Sequence, residues 1–415
     1  MKLLVRKLIV FTIILSTTQI INLRISEFSV FQLILIITVV VSIVGLFKIK
    51  TIGYGKHIPF AVVSAVSSIS AYFISTNTAW AKSYLLLGFM MSYLIFIIPI
   101  YFNVEDIGYL EKALIRSQYI TLIFSVYSYY MFYFKNGIPD RIEIFKIMYI
   151  ELDEAILRRA QVSNQIRLTL PYATPPVLSV VMAMCITILI FNKSLFGRKK
   201  RIFLLTAFTI VLVFTGSRTG IFSLAIELLI IGGYKFLKKG FNTKELRMTA
   251  GALIAIIALV IVSGKENYIA MLMNRIIYIL NPKVISRSEH ILYPLEGIKI
   301  WLDSLYNFAL GIGFGTSSNI TGKYVPELPP YFLNSYVTWI VERGLAGVYL
   351  IISILQLFFS NLRKGKESEN YCSLLLALAT ALISCFFYET LNCYFVLILI
   401  AITFVLDKHH IQIKQ

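Results

Sequence analysis

The 415-residue chain has few charged residues, few cysteines and few histidines. Asp, Glu, Lys and Arg make up 14% of it, against about 25% in soluble domains, and 58% of the residues are hydrophobic. The mean hydropathy is +0.79. No water-soluble fold covers that much apolar surface. The composition therefore excludes a cytoplasmic enzyme or a secreted globule and predicts an integral membrane protein.

Other absences narrow the function. The four cysteines lie in or beside apolar runs, and no Cys/His metal spacing occurs, so neither a disulfide framework nor a Cys/His metal site is predicted. No GxxxxGK[ST] run is present. No loop on the predicted cytoplasmic side is long enough for a nucleotide-binding domain. We therefore expect no ATP hydrolysis by this chain.

The apolar runs approach the roughly 20 residues that a helix needs to cross a bilayer, and they predict about twelve transmembrane helices. The first run lacks a small-residue cleavage site before the next one, so we interpret it as a retained membrane anchor. The runs lie near 5–22, 29–47, 58–74, 82–101, 117–134, 171–191, 202–216, 219–234, 248–263, 334–360, 371–388 and 391–406.

The basic residues that give the chain its net charge of +18 are distributed unevenly among the predicted loops. Lys and Arg concentrate in alternate loops, which by the positive-inside rule places both termini in the cytoplasm and two long loops, 135–169 and 264–333, on the outer face. This distribution favours membrane orientation over nucleic-acid binding. Charge and apolar patterning predict short amphipathic helices in both loops, over 151–159 and 269–279.

The strongest local signal is the run TGSRTG at 215–220, between two predicted spans that it joins as a tight hairpin. An arginine costs about 2.5–3.5 kcal/mol at the bilayer centre and less near the interface. A phosphate offsets that cost because a guanidinium binds it bidentately, and flanking glycines let a ligand approach the backbone. Arg218 is therefore a candidate phosphate ligand; a guanidinium among lipid headgroups is the alternative.

Two more signals lie in the C-terminal third. Arg287 and His290 precede an amphipathic stretch that ends in the run GIGFG at 311–315, which lacks the βαβ context of a dinucleotide site. Glu342 and Arg343 interrupt the apolar run 334–360. As helix neighbours they point about 100° apart, and an intramembrane charge is either functional or part of a helix–helix contact. For Glu227 in the eighth run we favour the structural role.

The 215–220 run, the segment 287–315 and the start of the run 334–360, in this order and topology, resemble the O-antigen polymerase and O-antigen ligase superfamily. Members of that superfamily join lipid-linked bacterial oligosaccharides at the outer face of the inner membrane. The resemblance rests on SRTG at 217–220, on the 311–315 glycines after an Arg/Trp-bearing helix, and on Asn334 followed by Gly344 and Gly347. It covers roughly 203–230 and 286–360. Arg167 before the sixth span weakly resembles a family arginine.

The resemblance implies an all-α, polytopic, GT-C-like membrane enzyme, a multi-pass protein of the bacterial inner membrane. Its donor and acceptor are oligosaccharides on undecaprenyl diphosphate. An acceptor hydroxyl attacks the donor's anomeric carbon with inversion, and lipid diphosphate leaves. No metal or cofactor is expected, no nucleic acid is bound, and a chain-length regulator and a flippase are further candidate partners. The product is O-antigen or a capsular or exopolysaccharide.

By the same resemblance, outer-face arginines stabilise the departing diphosphate, because preorganised cations are usually the largest catalytic term. The predicted catalytic residues are Arg218, Arg287, His290 and Glu342. The predicted substrate-binding and diphosphate-binding residues are Arg158, Arg159, Arg167, Ser217, Arg275, Gly313, Asn334 and Tyr336.

One position departs from the family. Its ligases often carry His just before the Asn that starts the C-terminal motif helix, and this chain has Leu333 there. Either His290 or Glu342 accepts the proton instead, or the acceptor hydroxyl loses it late. The departure favours a polymerase over a ligase that transfers glycan to lipid A core or protein. A flippase or other transporter remains a further alternative, although the chain lacks the two similar halves typical of secondary transporters.

Overall fold

The computed structural model describes residues 2–18, 23–25, 28–47, 55–135, 141–145, 148–151, 161–162, 165–166, 168, 170–172, 174–239, 289–316, 332–364 and 369–412. The described part of the chain is mainly α-helical, as predicted. Its helices are α1 (Lys2–Thr17), α2 (Val30–Leu46), α3 (His57–Ile74), α4 (Thr78–Tyr101), α5 (Ile107–Phe134), α6 (Pro175–Phe191), α7 (Arg198–Phe214), α8 (Arg218–Lys239), α9 (Glu289–Leu302), α10 (Leu305–Leu310), α11 (Ser335–Arg343), α12 (Leu345–Lys364), α13 (Glu369–Ser384) and α14 (Tyr394–Gln412).

Several of these helices suit a bilayer. Within the described ranges, three stretches are long and apolar enough to cross one by length and composition: His57–Ile74, Ala81–Tyr101 and Leu345–Leu362. Four shorter apolar helices accompany them: Val30–Leu46, Pro175–Phe191, Cys372–Ser384 and Tyr394–Asp407. The total of about twelve spans stays a prediction, and the predicted segments 248–263 and 269–279 lie outside the described residues.

The surface of α2 shows why the protein needs a membrane. Six large apolar side chains on this helix are exposed, in a stripe at spacings of one and three residues. Such a continuous apolar surface is unfavourable in water and is typical of a lipid-facing helix. In contrast, α6 is buried along almost its whole length, and so is α14 up to Asp407. The exposed residues of α2 are Leu33, Ile36, Ile37, Val40, Ile43 and Val44.

The described part of the first long loop is extended. Strands β3 (Arg141–Phe145) and β4 (Met148–Glu151) pair antiparallel, and β4 also pairs with β1 (Leu23–Ile25), which pairs with β2 (Phe28–Ser29). The physical reason is the alternation of charged and apolar residues along β3, a period of two. Glu151 ends β4, and the rest of the predicted helix 151–159 lies outside the described residues.

A second hairpin follows in the same loop, formed by β5 (Gln161–Val162) and β6 (Gln165–Ile166). The strands of the larger sheet belong to the segments that follow α1 and α5, and these two helices run parallel. Arg6 pairs with Asp106, and the Thr17 hydroxyl donates to Ser117 Oγ at 2.8 Å. Both pairs have a sequence separation of 100 residues, so the two helices keep one register along α1.

Candidate functional site

The predicted continuous span over 334–360 is wrong, because the structure breaks it at Gly344 into α11 and α12. Gly344 has φ +59°, and its N–H donates to Ile340 O at 2.8 Å. A Cβ on Gly344 would lie 2.4 Å from Ala309 O. Gly347 is restricted in the same way, because a Cβ added there would lie 2.0 Å from Trp339 O. Glycine at both motif positions therefore allows the chain to turn against its own helix and against α10.

The N-terminus of α11 is fixed by the Asn that the sequence motif contains. Asn334 Oδ1 accepts from the backbone N–H groups of Tyr336 and Val337, at 3.0 and 3.1 Å, as an N-cap. The Tyr336 hydroxyl donates to Leu382 O at 2.7 Å, and its ring packs on Phe386. These contacts attach α11 to the end of α13. Both residues were predicted to bind substrate, and the structure gives each a positioning role.

The glycine run 311–315 forms a loop that packs against the end of α11. Ile312 N–H donates to Val341 O at 2.9 Å, and Gly313 N–H donates to Glu342 O at 3.2 Å. Gly315 N–H then donates to the Glu342 carboxylate at 2.8 Å. Gly311, Gly313 and Gly315 all have positive φ, between +65° and +84°. Two motifs that are distant in sequence therefore form one buried unit, which we call the Gly344 break (residues 311–316 and 342–344).

This loop also contacts α3, on its other side. Phe314 N–H donates to Ala71 O at 3.0 Å, and the Ser75 hydroxyl donates to Phe314 O. A Cβ on Gly313 would lie 2.5 Å from the backbone nitrogen of Ser75. Gly313, a predicted substrate ligand, thus allows close packing between the loop and the end of α3.

Glu342 and Arg343 point in different directions, as predicted for helix neighbours. Arg343 is 4% exposed and its Nη1 donates to the Ser67 and Ser68 hydroxyls of α3, at 3.2 and 3.3 Å. Its guanidinium lies over the Phe314 ring, 4.9 Å from the centroid, and over the Trp339 ring at 5.0 Å. The Gly344 break therefore holds a buried arginine and a buried acid that hydrogen bond to different partners.

A second buried acid, Glu389, was not singled out from the sequence. It lies in the loop between α13 and α14, where Asn392 Nδ2 donates to its Oε1 at 2.9 Å and Trp339 Nε1 donates to Asn392 Oδ1 at 3.0 Å. Burial raises the pKa of Glu389 to about 7, and a hydrogen bond with Thr338 opposes the rise. The sequence signal that could have identified Glu389 is a charged residue at the junction of two apolar runs, which is also the signal that identified Arg218.

The 215–218 turn is a tight hairpin between α7 and α8, as predicted. Gly216 has φ +59°, and the backbone N–H of Ser217 donates to Thr215 Oγ1 at 3.2 Å. Ser217 is buried, whereas Arg218, the first residue of α8, is partly exposed.

Gly220 serves helix packing and not the ligand approach that the sequence suggested. Its N–H donates to Ser179 Oγ at 3.1 Å, and a Cβ there would lie 2.4 Å from the backbone carbonyl of Ser179. Helix α8 can therefore lie directly against α6.

The predicted site residues thus fall into two groups. Glu342, Gly313, Asn334 and Tyr336 belong to α11 and the loop that packs on it. Ser217 and Arg218 belong to the turn before α8, which packs on α6, α7 and α13. Helix α13 connects the groups, because its end also accepts the backbone N–H of Ser335, through Cys385 O at 3.0 Å.

Other predicted residues fall outside what the structure describes. His290 lies in α9, but its side chain is not described. The remaining predicted arginines lie outside the described residues: Arg158, Arg159, Arg167, Arg275 and Arg287. In the described ranges, no group of three His, Cys, Asp or Glu side chains could hold a metal ion. Comparison with known protein families and with curated proteins finds no match to this chain.

Proposed function

We propose that the protein is a polymerase that joins oligosaccharide repeat units carried on undecaprenyl diphosphate, at the outer face of a bacterial inner membrane. One observation carries the proposal: the glycine loop at 311–315 packs on the helix break at 342–344. These are two of the three motifs on which the superfamily resemblance rests, and their association into one buried unit supports the proposal.

The reaction needs no nucleotide. The acceptor hydroxyl oxygen forms a bond to the anomeric carbon of the donor, the bond between that carbon and the diphosphate oxygen breaks, and the hydroxyl proton passes to a base. The leaving diphosphate gathers negative charge, which fixed cations stabilise. Arg218 suits this role, because it starts α8 at a partly exposed turn. Arg167 is a further candidate, since Leu168, the next residue, donates to Phe214 O at the end of α7.

The proton acceptor is an acid or His290. Leu333 is buried among apolar side chains, including Phe332 and Tyr293, and has no basic atom. Glu342 binds the Gly315 N–H, so in this proposal it positions the glycine loop as well as serving as a candidate base. Glu389 is a third candidate, held near α11 through Asn392.

The decisive experiment supplies the purified protein with undecaprenyl-diphosphate repeat unit as the only substrate. We expect polymer from the wild type and none from Arg218→Ala, because about 3–4 kcal/mol of charge stabilisation corresponds to a 10²–10³-fold loss of rate. Arg201→Ala is the matched control, since Arg201 lies at the opposite end of α7 and its side chain donates to Lys193 O.

Each other outcome has a definite meaning. Polymer that appears only after lipid A core or an acceptor protein is added identifies a ligase. Normal elongation by Arg218→Ala contradicts the proposed role of that arginine. A protein that moves the lipid-linked repeat unit across vesicles without forming polymer is a flippase, and the proposal is then wrong.

A further inference from the structure

A cleft opens on the side of the helical bundle, between α3 on one side and α10 and α12 on the other. Its volume is about 260 Å³. Its walls include Val62, Val66 and Leu310, whereas Ser67 and Arg343 lie at its buried end. The cleft is therefore apolar along its length and cationic at one point.

The mouth of the cleft lies among exposed apolar side chains, which suit a hydrocarbon environment. Val62 and Val66 are 55% and 61% exposed, and they belong to α3, which is long and apolar enough to span a membrane. Ser70 extends the lining by two further turns from Val62, so the cleft follows α3 for about 12 Å. A molecule already dissolved in the bilayer can enter it sideways without crossing water.

Arg343 has binding capacity that the protein does not use. Its Nη1 has two hydrogen bonds of 3.2 and 3.3 Å to serine hydroxyls, whereas its Nε–H is buried without a hydrogen-bond partner among the described residues. Glu342 interacts electrostatically with the Arg343 charge, but its carboxyl group accepts from the Gly315 N–H, and within the described ranges no carboxyl oxygen lies within 4.0 Å of the guanidinium. A buried cation so placed is costly, and an anion in the cleft would offset the cost.

The aromatic contacts of Arg343 restrict how an anion can meet it. Phe314 and Trp339 both lie near the guanidinium, at 4.9 and 5.0 Å from its carbon. Rings that cover the faces of a guanidinium leave its N–H edge for hydrogen bonding, and that edge matches phosphate oxygens. The complementary ligand is an amphiphile with a phosphate at one end and a hydrocarbon chain beside it.

We propose that this cleft is a lateral binding site for one isoprenoid phosphate, with the chain along α3 and a phosphate on Arg343. The proposal rests on the proposed function, because a polymerase must hold two lipid-linked substrates at once. The Arg218 turn lies on α8 with α6, α7 and α13, whereas the cleft lies on α3, α10 and α12, so each lipid has its own cation. The volume is just below the usual range of ligand pockets, about 300–1,000 Å³, and suits one chain segment, not two acyl chains.

The test measures binding and needs no turnover. Purified protein in nanodiscs is titrated with undecaprenyl phosphate, and the bound lipid is counted by native mass spectrometry. Val66→Trp fills the cleft from an exposed position, so it should fold normally and weaken binding about tenfold. Val126→Trp, on the 71% exposed Val126 of α5, is the matched control and should bind like the wild type.

A second variant tests the cation. Arg343→Lys keeps the charge but loses the planar fork, so binding should weaken while the protein still elutes as a folded species. Equal affinity of wild type and Val66→Trp would overturn the proposal, and so would displacement of the probe by phosphatidylglycerol at equal concentration. Binding is measured without elongation, so the two proposals can fail separately. If only the cleft proposal is wrong, the protein forms polymer and Val66→Trp binds the lipid as the wild type does. If only the polymerase proposal is wrong, no polymer forms and Val66→Trp still weakens binding.

Discussion

Two buried glutamates in this protein accept hydrogen bonds from different kinds of partner. Glu227 of α8 accepts the hydroxyl of Thr187 in α6, at 2.9 Å, and the hydroxyl of Thr380 in α13. We call these three residues the Glu227 triad. Glu342 instead accepts a backbone N–H, that of Gly315, from a loop with three left-handed glycines. The triad lies between regular helices, whereas the Gly344 break interrupts one.

The difference indicates which of the two glutamates could be substituted without disturbing the backbone. Side-chain hydroxyls on uninterrupted helices link neighbours without altering the backbone, so the triad resembles an ordinary contact between membrane helices. Irregular backbone at membrane depth is tolerated only where protein buries it or a cavity lies beside it. The break meets both conditions, because it is buried and Arg343 lines the adjacent cleft. Residues in rare backbone conformations concentrate at functional sites, which favours the break as the working region.

Gly344→Ala should have the largest effect on this comparison. The new Cβ would approach Ala309 O to 2.4 Å and require a left-handed backbone at φ +59°. We expect a loss of about 2–4 kcal/mol in unfolding free energy, because backbone strain and overpacking add, together with loss of elongation. Thermal unfolding in detergent and the elongation assay measure the two effects.

Gly108→Ala is the control for that substitution. No heavy atom lies within 4 Å of a Cβ at Gly108, which lies within α5. Alanine favours a helix over glycine by about 1 kcal/mol, so this variant should be as stable as the wild type or slightly more so. If the two variants behave alike, the break carries no strain and the comparison fails.

The next prediction exchanges each acid for its amide. Glu342→Gln keeps an oxygen that accepts from the Gly315 N–H but cannot take up a proton as a candidate base, so we expect a roughly tenfold slower elongation, about 1.4 kcal/mol. Glu227→Gln keeps an oxygen that accepts from the two threonine hydroxyls, so its elongation rate should stay within about twofold of the wild type. Initial rates, normalised to folded protein by size-exclusion chromatography, compare the two. An equal loss in both variants would mean that buried charge matters wherever it lies.

The sequence predicted those parts of the fold that depend on local pattern. Apolar runs located most of the longer described helices, although α5 begins at Ile107 and its run was placed at 117–134, and the short joint at 215–218 predicted the tight turn between α7 and α8. Helical spacing also predicted that Glu342 and Arg343 point apart. Each of these follows from the period of a helix or from the length of a run, and neither property depends on distant neighbours.

The parts that the sequence missed depend on contacts between distant residues. Gly344 lies in an apolar run that could continue as one helix, but it adopts a positive φ and Ala309 O occupies the space that a Cβ would need. The pairing of Leu23–Ile25 with Met148–Glu151 joins strands too short for a periodic signal. Glu389 becomes notable only because Asn392 and Thr338 surround it.

The last expected effect is confined to one pH range and concerns Glu389, the acid beside the Gly344 break that lies in a loop. Its pKa is raised from 4.5 to about 7, so between these pH values the folded protein holds a proton that the unfolded chain has released. Stability therefore falls as the pH rises through this window, and Glu389→Gln, which cannot ionise, should escape that loss. The variant should exceed the wild type by at most about 3 kcal/mol above pH 7 and by less at pH 5. Thermal unfolding of both proteins across pH 5–8 measures the difference, with Glu105→Gln as a control because Glu105 is exposed. A constant difference at every pH would show that Glu389 stays ionised in the fold, and the contrast between the acids at the break and those among regular helices would then rest on backbone geometry alone.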